Sequence, residues 1–598
     1  MVISQINSVN FTNVNLYKNN KNMTMDNSVH IPNMKMKGAL KTDTVSFTSL
    51  HNLTPNQKMK TYALQLLKDN AFKENRKIHI IAESKYLPFM NVLSETAYKK
   101  GSGNISMKVI EPELEALKKK HNIKETFDFE KENLEELKQQ NAIILRFNDK
   151  NNPYKLSNLT KTEEAKEIEK TKTIVPKEVY DEFKISPKEV FKDALDVREG
   201  QPVSIYAERE HLPIVEKLVD YLYGENKTKL VTVNMTRDSQ INKLKFAKDS
   251  VLEEAPTATK RMKEEFYNKD VAYLVLDGED PRMMEDIDSD RIVKNSRATR
   301  KSLEEIQNKI VNEIPWLVYY APTTKSCVDA YPELKNEPVK ALSKAFKDAN
   351  KINRMGHLHE HVENLSHRAN KMNELLDNGY RTLHYVSVDA KTGKPDGKTD
   401  FKVTMSPNSQ FMAAKTHFAK YNHNTMCNIP TEEVFTSPQA DTAEGVISAT
   451  MPLSLNGKIV EGIRFKFEKG KMVDIKADKN EEMLKKHIAA NDNADRLGEV
   501  ALVAGSPIAE TGRLFNSTLL DENASCHLAF GDSYSMCIKG ADEFKEYKDM
   551  KKFLKDLKIN SSPTHNDFMV GGKNVNISAI NEKTGDTIDV IKDDKFLL

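Results

Sequence analysis

Four short blocks in the C-terminal half of this chain set acids and imidazoles among small or apolar residues. They are Asn428-Ile429-Pro430-Thr431-Glu432-Glu433-Val434-Phe435-Thr436, Arg496-Leu497-Gly498-Glu499-Val500, Asp521-Glu522-Asn523-Ala524-Ser525-Cys526-His527 and His565-Asn566-Asp567-Phe568-Met569. Together they offer Glu432 or Glu433, with Glu499, His527, His565 and Asp567. Three carboxylates and two imidazoles suit a pair of divalent cations with oxygen-rich ligation and positions left open for water. Carboxylates can bridge two cations and offset their charge, and neutral imidazoles fill single-metal positions. Two metals about 3.5–4 Å apart can share a hydroxide, lower its pKa and polarise the carbonyl it attacks. The ligands are scattered, so spacing alone carries less than a Cys-x-x-Cys pair or an H-E-x-x-H helix.

The wording around these residues carries more. In this order, the blocks resemble the thermophilic metalloaminopeptidase family (aminopeptidase T and S type), with its patterns N-x-P-x-x-E-V-F-T, R-x-G-E-V-A-L, D-E-N-x-x-x-H and H-x-D-F-M. The resemblance runs over residues 177 to 598, and no ligand position is broken. It implies an aminopeptidase that removes N-terminal residues from peptides through a metal-bridged hydroxide. It also implies two divalent metals (zinc, cobalt or manganese) on Glu433, Glu499, His527, His565 and Asp567, and it selects Glu433 over Glu432. Tyr534, seven residues after His527, falls where the family carries a functional tyrosine that could donate to an oxyanion or lie on a metal. Glu433 or Glu499 would share the work of general base with the hydroxide. Cys526 falls where relatives have other small residues, which makes it packing. Glu432, Asp521 and Glu522 are candidates to accept the substrate's free amine. Relatives form dimers around the active site, so a homodimer is expected.

Two rivals remain. A dinuclear phosphoesterase would want phosphate-binding cations, for which only Arg496 and Arg513 are near in sequence. A non-catalytic relative would keep the site for stability alone.

The balance of 90 Lys and Arg against 88 Asp and Glu, a formal net charge of +2, describes a surface of mixed sign rather than a nucleic-acid or membrane footprint. No apolar run reaches the length of a membrane span. Cys327, Cys427, Cys526 and Cys537 lack zinc-knuckle spacing and are too few for a disulfide framework. A reducing, cytoplasmic setting is expected.

Positioning the blocks requires several domains. Residues 1–52 read as a polar, disordered leader without a signal-peptide core. Thr54-Pro55 reads as a helix start, Ile78–Ala82 as a strand, Leu87-Pro88 onward as a helix, Gly101-Ser102-Gly103 as its terminating turn, and Ile105–Ile110 as a strand. At an offset of 125 residues, Ile80, Ala82, Glu83, Leu87, Pro88, Leu93 and Tyr98 recur as Ile205, Ala207, Glu208, Leu212, Pro213, Leu218 and Tyr223, an internal repeat. Ala142–Leu145 pairs with Ala272–Val275 further on. The expected organisation is an extra α/β domain (53–160), a charged linker (161–176), a family-type α/β domain with a helical connection (177–378) and a β-rich α+β catalytic domain (379–598). The α/β parts are open, mostly parallel layers. Trp316–Tyr320 reads as a buried strand, followed by a long helical region through Leu375. Within it His357, His359, His361 and His367 read as a polar face rather than a metal helix. From about residue 380 the pattern is β-rich, with turn signals at Asn456-Gly457 and Lys469-Gly470. Loops and strand ends are expected to carry the four blocks.

Overall fold

Thr54 opens the first helix, α1 (Pro55–Asp69), with a capping box: its Oγ1 accepts from Gln57 N at 3.3 Å while Gln57 Oε1 accepts from Thr54 N at 2.9 Å. The computed structural model describes residues 54–147 and 175–598 except 236–237, 281, 419, 456–457, 516 and 545. The expected leader, nearly all of the charged linker and the Asn456-Gly457 turn signal lie outside the described residues.

The repeat is visible as two layers of one topology. The first runs β1 (Ile78–Glu83), α2 (Leu87–Lys99), β2 (Ile105–Ile110), α3 (Pro112–Lys120), α4 (Asp128–Gln139) and β3 (Ile143–Phe147), with parallel strands in the order β2-β1-β3. The second runs β4 (Val203–Tyr206), α5 (Leu212–Gly224), β5 (Val231–Asn234), α6 (Asp238–Phe246), α7 (Thr257–Asn268) and β6 (Ala272–Asp277). Its strands, also parallel, lie in the order β5-β4-β6. The sheet continues through β7 (Trp316–Tyr320), which follows the long helix α8 (Ser289–Glu313). Strand register aligns Ile143 with Ala272, one position away from the match by sequence, because Ile78 faces Ile143 as Val203 faces Ala272.

Neither layer closes its core alone. Leu244 of α6, with Ala247, Val251 and Leu252, packs into the apolar face of β1–β3, while Leu114 of α3 and Phe127 and Phe129 at the start of α4 join the core of the second layer. The exchange is reciprocal: α6 rests on α2 as α3 rests on α5, and α4 pairs with its counterpart α7.

After β7 the expected long helical region is two helices, α9 (Pro338–Ile352) and α10 (Leu358–Asp377), separated where Arg354 and Gly356 take positive φ. His359 and His367 are exposed, and so is His357, which caps α10. His361 turns inward, its Nε2–H donating to the Thr431 carbonyl at 2.6 Å. The polar-face reading therefore fails at His361 alone.

The C-terminal half is antiparallel. An eight-stranded sheet, from Lys471–Lys476 at one edge to Lys595–Phe596 at the other, faces a five-stranded one. The smaller sheet has the order β8 (Met412–Ala413), β10 (Glu433–Thr436), β11 (Leu497–Val503), β12 (His527–Gly531) and β13 (His565–Met569). The core between them holds Phe401, Phe465, Phe467, Val500, Phe530 and Phe568. The hairpin at Lys469-Gly470 turns where both residues have positive φ. A boundary at 378/379 is not clean. Ala369 and Met372 of α10 belong to the C-terminal core, and β9 (Asn428–Ile429) returns to the parallel sheet, pairing with β7.

Candidate metal centre

The two-residue period of a strand places the candidates. On β10 to β13, Val434, Val500, Leu502, Leu528, Phe530 and Phe568 face the core between the sheets. The alternating positions Glu433, Glu499, His527, His565 and Asp567 therefore share the opposite face. Strand ends carry three of the candidates, since Glu433, His527 and His565 open their strands, whereas Glu499 and Asp567 lie inside theirs rather than on loops. Register fixes the rows. Glu499, Ala529 and Asp567 lie opposite one another on three adjacent strands, and the small Ala529 leaves room between the two acids.

All five side chains come together, in two overlapping groups. Glu433, Glu499 and His527 offer ligand atoms within 4.8 Å of one another, and so do Glu499, His565 and Asp567, with Glu499 common to both. Each residue is buried.

Both imidazoles are oriented by backbone. His565 Nδ1–H donates to the Asp532 carbonyl at 2.7 Å, and His527 Nδ1–H to the Glu522 carbonyl at 2.9 Å. Each Nε2 is thereby turned inward: that of His565 stands 2.9 Å from Glu499 Oε2 and 3.1 Å from Asp567 Oδ1, and that of His527 is 3.1 Å from Glu433 Oε2. The last contact is out of line for a hydrogen bond, so Glu433 Oε2 is buried without a donor among the described residues. Burial disfavours the charged imidazoles, yet the carboxylates outweigh it. His527 is pushed up to about 10 by Glu433, Asp567 and Glu499, and His565 to about 10 by Asp567 and Glu499. Nitrogens and oxygens that converge this closely offer a seat for a metal ion, and backbone-anchored Nδ1–H groups are the usual support of a metal-bound histidine. The donor set fits divalent metals.

A fourth carboxylate belongs here. Glu522 lines the same cleft, and burial with Asp567 and Glu433 nearby holds its carboxyl well above the usual range. The other two amine-acceptor candidates do not: Glu432 turns away into a two-point pair with Arg354 (3.0 Å each), and Asp521 Oδ1 accepts from Phe515 N at 3.2 Å. The signal for Glu522 was its place in the Asp521–His527 block, whose helix (Thr518–Ala524) packs on β13 and β7.

Tyr534 lines the cleft, its ring 4.8 Å from that of His565 and 6.0 Å from Phe435. Burial and the acids Glu499, Asp567 and Glu522 hold its hydroxyl well above the usual tyrosine value, so it keeps its proton to donate. Trp316 of β7 and Met536 add apolar wall, Trp316 from the parallel sheet. Sequence reasoning placed Trp316 in a strand but not at the site. Cys526 is packing: its Sγ donates to the Val503 carbonyl at 3.1 Å, and burial pushes the thiol up to about 12. Gly498 is required by close approach, since a Cβ there would lie 2.0 Å from the Asp532 carbonyl oxygen. Arg496 and Arg513 are spent elsewhere, on the Ala440 carbonyl (2.8 Å) and Glu333 (2.7 Å). No Lys or Arg among the described residues lines the cleft.

Residues 188–596 match the thermophilic metalloprotease (M29) family. Aminopeptidase AmpS of Bacillus subtilis (strain 168) is 33% identical over 391 residues, which are 64% of this chain and 91% of that protein. Aminopeptidase T of Thermus aquaticus is 30% identical over 403 residues, 65% of this chain and 92% of its own. The solved structure of wild-type AmpT from Thermus thermophilus superposes with a TM-score of 0.60 at 25% identity, covering 69% of this chain and 98% of that one. The chain belongs to the thermophilic metalloprotease (M29) family.

Proposed function

We propose that this chain is a metalloaminopeptidase that hydrolyses N-terminal residues from peptides at a centre of two divalent metals. Glu433, Glu499, His527, His565 and Asp567 would hold them, with Glu499 common to both. The observation that carries the reading is the pair of overlapping donor groups, all buried on one sheet face, with both histidines pre-aimed by backbone carbonyls. When bound, the metals supply Lewis acidity and activate water at neutral pH. Zinc, cobalt and manganese all suit this set of nitrogen and oxygen donors.

The side chains divide the remaining work. Glu433 or Glu499 takes the proton of the attacking water and returns it to the leaving amine. The Tyr534 hydroxyl donates to the oxygen that gains charge as the scissile carbonyl becomes tetrahedral. Glu522 faces whichever cation lies over it, a metal or the substrate ammonium. The apolar wall of Trp316, Phe435 and Met536 excludes water.

The absence of lining Lys or Arg among the described residues speaks for a peptide rather than a phosphoester substrate. The chemistry then belongs to residues 379–598, with Trp316 borrowed from the preceding layer. The homodimer implied by the family resemblance is part of this reading and is checked by light scattering. Four cysteines free of disulfides suit a reducing, cytoplasmic compartment. Hydrolysis of leucine and other aminoacyl chromogenic amides, with and without a chelator, tests the function: activity lost on chelation and restored by metal supports it, and inactivity towards every aminoacyl amide sinks it.

A further inference from the structure

Once the five donors are given to metals, two hydrogen-bond acceptors of the cleft are left over. One is Glu522. The other is the side-chain amide of Asn428, the residue that opens the first of the four blocks. Strand pairing puts it there. β9 joins the parallel sheet with Asn428 beside Val318 of β7, and paired residues of adjacent strands point to the same side. Trp316, two residues before Val318, shares that side, and Trp316 and Asn428 both line the cleft. Glu522 reaches the same cleft from the helix Thr518–Ala524, which packs on β7 and β13.

Both acceptors are unspent. Asn428 is partly buried, and its Oδ1 is buried with no donor among the described residues. Glu522 is 4% exposed, and its Oε1 receives a long 3.5 Å contact from Asn523 Nδ2. A buried acceptor left unmatched costs free energy, so each such atom needs a partner to answer it. The orphaned Glu433 Oε2 has a metal to answer it, since Glu433 belongs to a donor group. That explanation does not extend to Asn428, a neutral amide beside a set of carboxylates and imidazoles that already serves two metals. The hydroxyls in the cleft do not answer it either: Thr416 Oγ1 donates to Met536 Sδ at 3.7 Å, and Tyr534 is committed to the scissile oxygen.

A primary ammonium fits what remains. Its charge is matched by Glu522, and its N–H bonds point in several directions, so that a second one reaches Asn428. An amide within a longer peptide carries one N–H and no charge, and can answer at most one of the two acceptors. We infer that Asn428 is a specificity residue: its Oδ1 accepts one N–H of the substrate's terminal ammonium while Glu522 accepts another. The inference rests on the function proposed above and supplies what restricts it to free N-termini. A site built to bond an N–H rejects an analogue that lacks it, because its buried acceptors are then left unpaired.

The test uses the full-length protein loaded with zinc and reads binding, so no outcome depends on turnover. Leucine hydroxamate and 4-methylpentanohydroxamate are titrated by calorimetry. They chelate metal through the same group and differ only in the α-amine, so the ratio of their Kd values reports the amine alone. The parent should favour the amine compound by about tenfold or more. Asn428→Leu, which keeps the volume and removes the acceptor, should cut that preference about tenfold, the size of one hydrogen bond to a charged group. The loss should fall on the amine compound alone, with zinc content unchanged. Asn428→Asp, which keeps an oxygen there, should retain the preference, and Asn428→Ala replaces the leucine variant if that protein does not fold. An unchanged ratio in the variant without the acceptor, equal weakening of both hydroxamates, or loss of zinc overturns the role of Asn428. A zinc-loaded parent that binds both hydroxamates alike overturns the ammonium seat but not the metal centre. One that binds neither overturns the function proposed above, and this inference with it.

Discussion

Replacing Gly498 by alanine should disable the metal centre from outside it. The residue lies on β11 beside Glu499, where the pairing with β12 shifts register between Leu497 and Glu499. An added Cβ would stand 2.0 Å from the Asp532 carbonyl oxygen, 2.5 Å from its carbon and 2.6 Å from the Gly531 oxygen. All three are backbone atoms, so no side chain can swing aside, and the strand must give by an ångström or more. The Asp532 carbonyl that must move is the one that accepts the His565 Nδ1–H at 2.7 Å. Loss of such an orienting bond typically costs 10–100-fold in metal affinity or activity, about 1.4–2.7 kcal/mol. Overpacking should add about 1–3 kcal/mol of lost stability. Metal content after dialysis against graded chelator, read by mass spectrometry beside a thermal melt, separates the two effects. A Gly498→Ala protein that keeps parental metal affinity and activity would refute the claim that the Asp532 carbonyl aims His565.

Three further outcomes are expected. Tyr534→Phe should lower turnover by roughly 10²–10³ with metal content unchanged; unaltered turnover would return the tyrosine to a packing role. Cys526→Ala should keep metal and activity while losing about 1–2 kcal/mol of stability for the vacated volume, measured by denaturant melts; loss of metal would make it part of the centre. Lys108 is buried, its Nζ has no hydrogen-bond partner among the described residues, and burial depresses it to about 7 against the pull of Glu130. Below about 7 both folded and unfolded chains hold its proton. Above that value the folded chain releases the proton while the unfolded chain keeps it to about 10, so stability from this group rises with pH across that window. Lys108→Met should therefore be more stable than the parent by about 1–3 kcal/mol at neutral pH, with the gap narrowing towards pH 10 in melts across that range.

The five candidates were picked out by the family resemblance; the residues themselves show an apolar frame, Val434 beside Glu433, Val500 beside Glu499 and Phe568 beside Asp567, which strand alternation turns into one buried polar face. Apolar neighbours at odd offsets are the print of a buried face, and acids on the other face of the same strands are costly unless paired. The choice between Glu432 and Glu433 came only from the family resemblance. Its physical cause lies in tertiary contacts, since Arg354, some eighty residues away in the chain, holds Glu432 on the far side. The aiming of His527 and His565 was not legible, because backbone carbonyls do the work and any residue carries one. Nor was the role of Trp316, which reaches the cleft only because Asn428–Ile429 pairs with its strand. The repeat was readable through its identities, but the exchange of α3 and α6 between the layers was not, because helix patterning shows an apolar stripe without saying which sheet it covers.

The central claim is that catalysis depends on metals held by these five side chains. The direct measurement is metal stoichiometry and leucine amide hydrolysis on one preparation, chelated and then titrated with zinc, cobalt or manganese, for the parent and for Glu499→Ala. Because Glu499 belongs to both donor groups, activity in the parent should rise with metal to a plateau at two ions per chain. The variant should lose both the second ion and the activity. Hydrolysis that survives full chelation, or a Glu499→Ala protein that binds two ions and turns over like the parent, would contradict it.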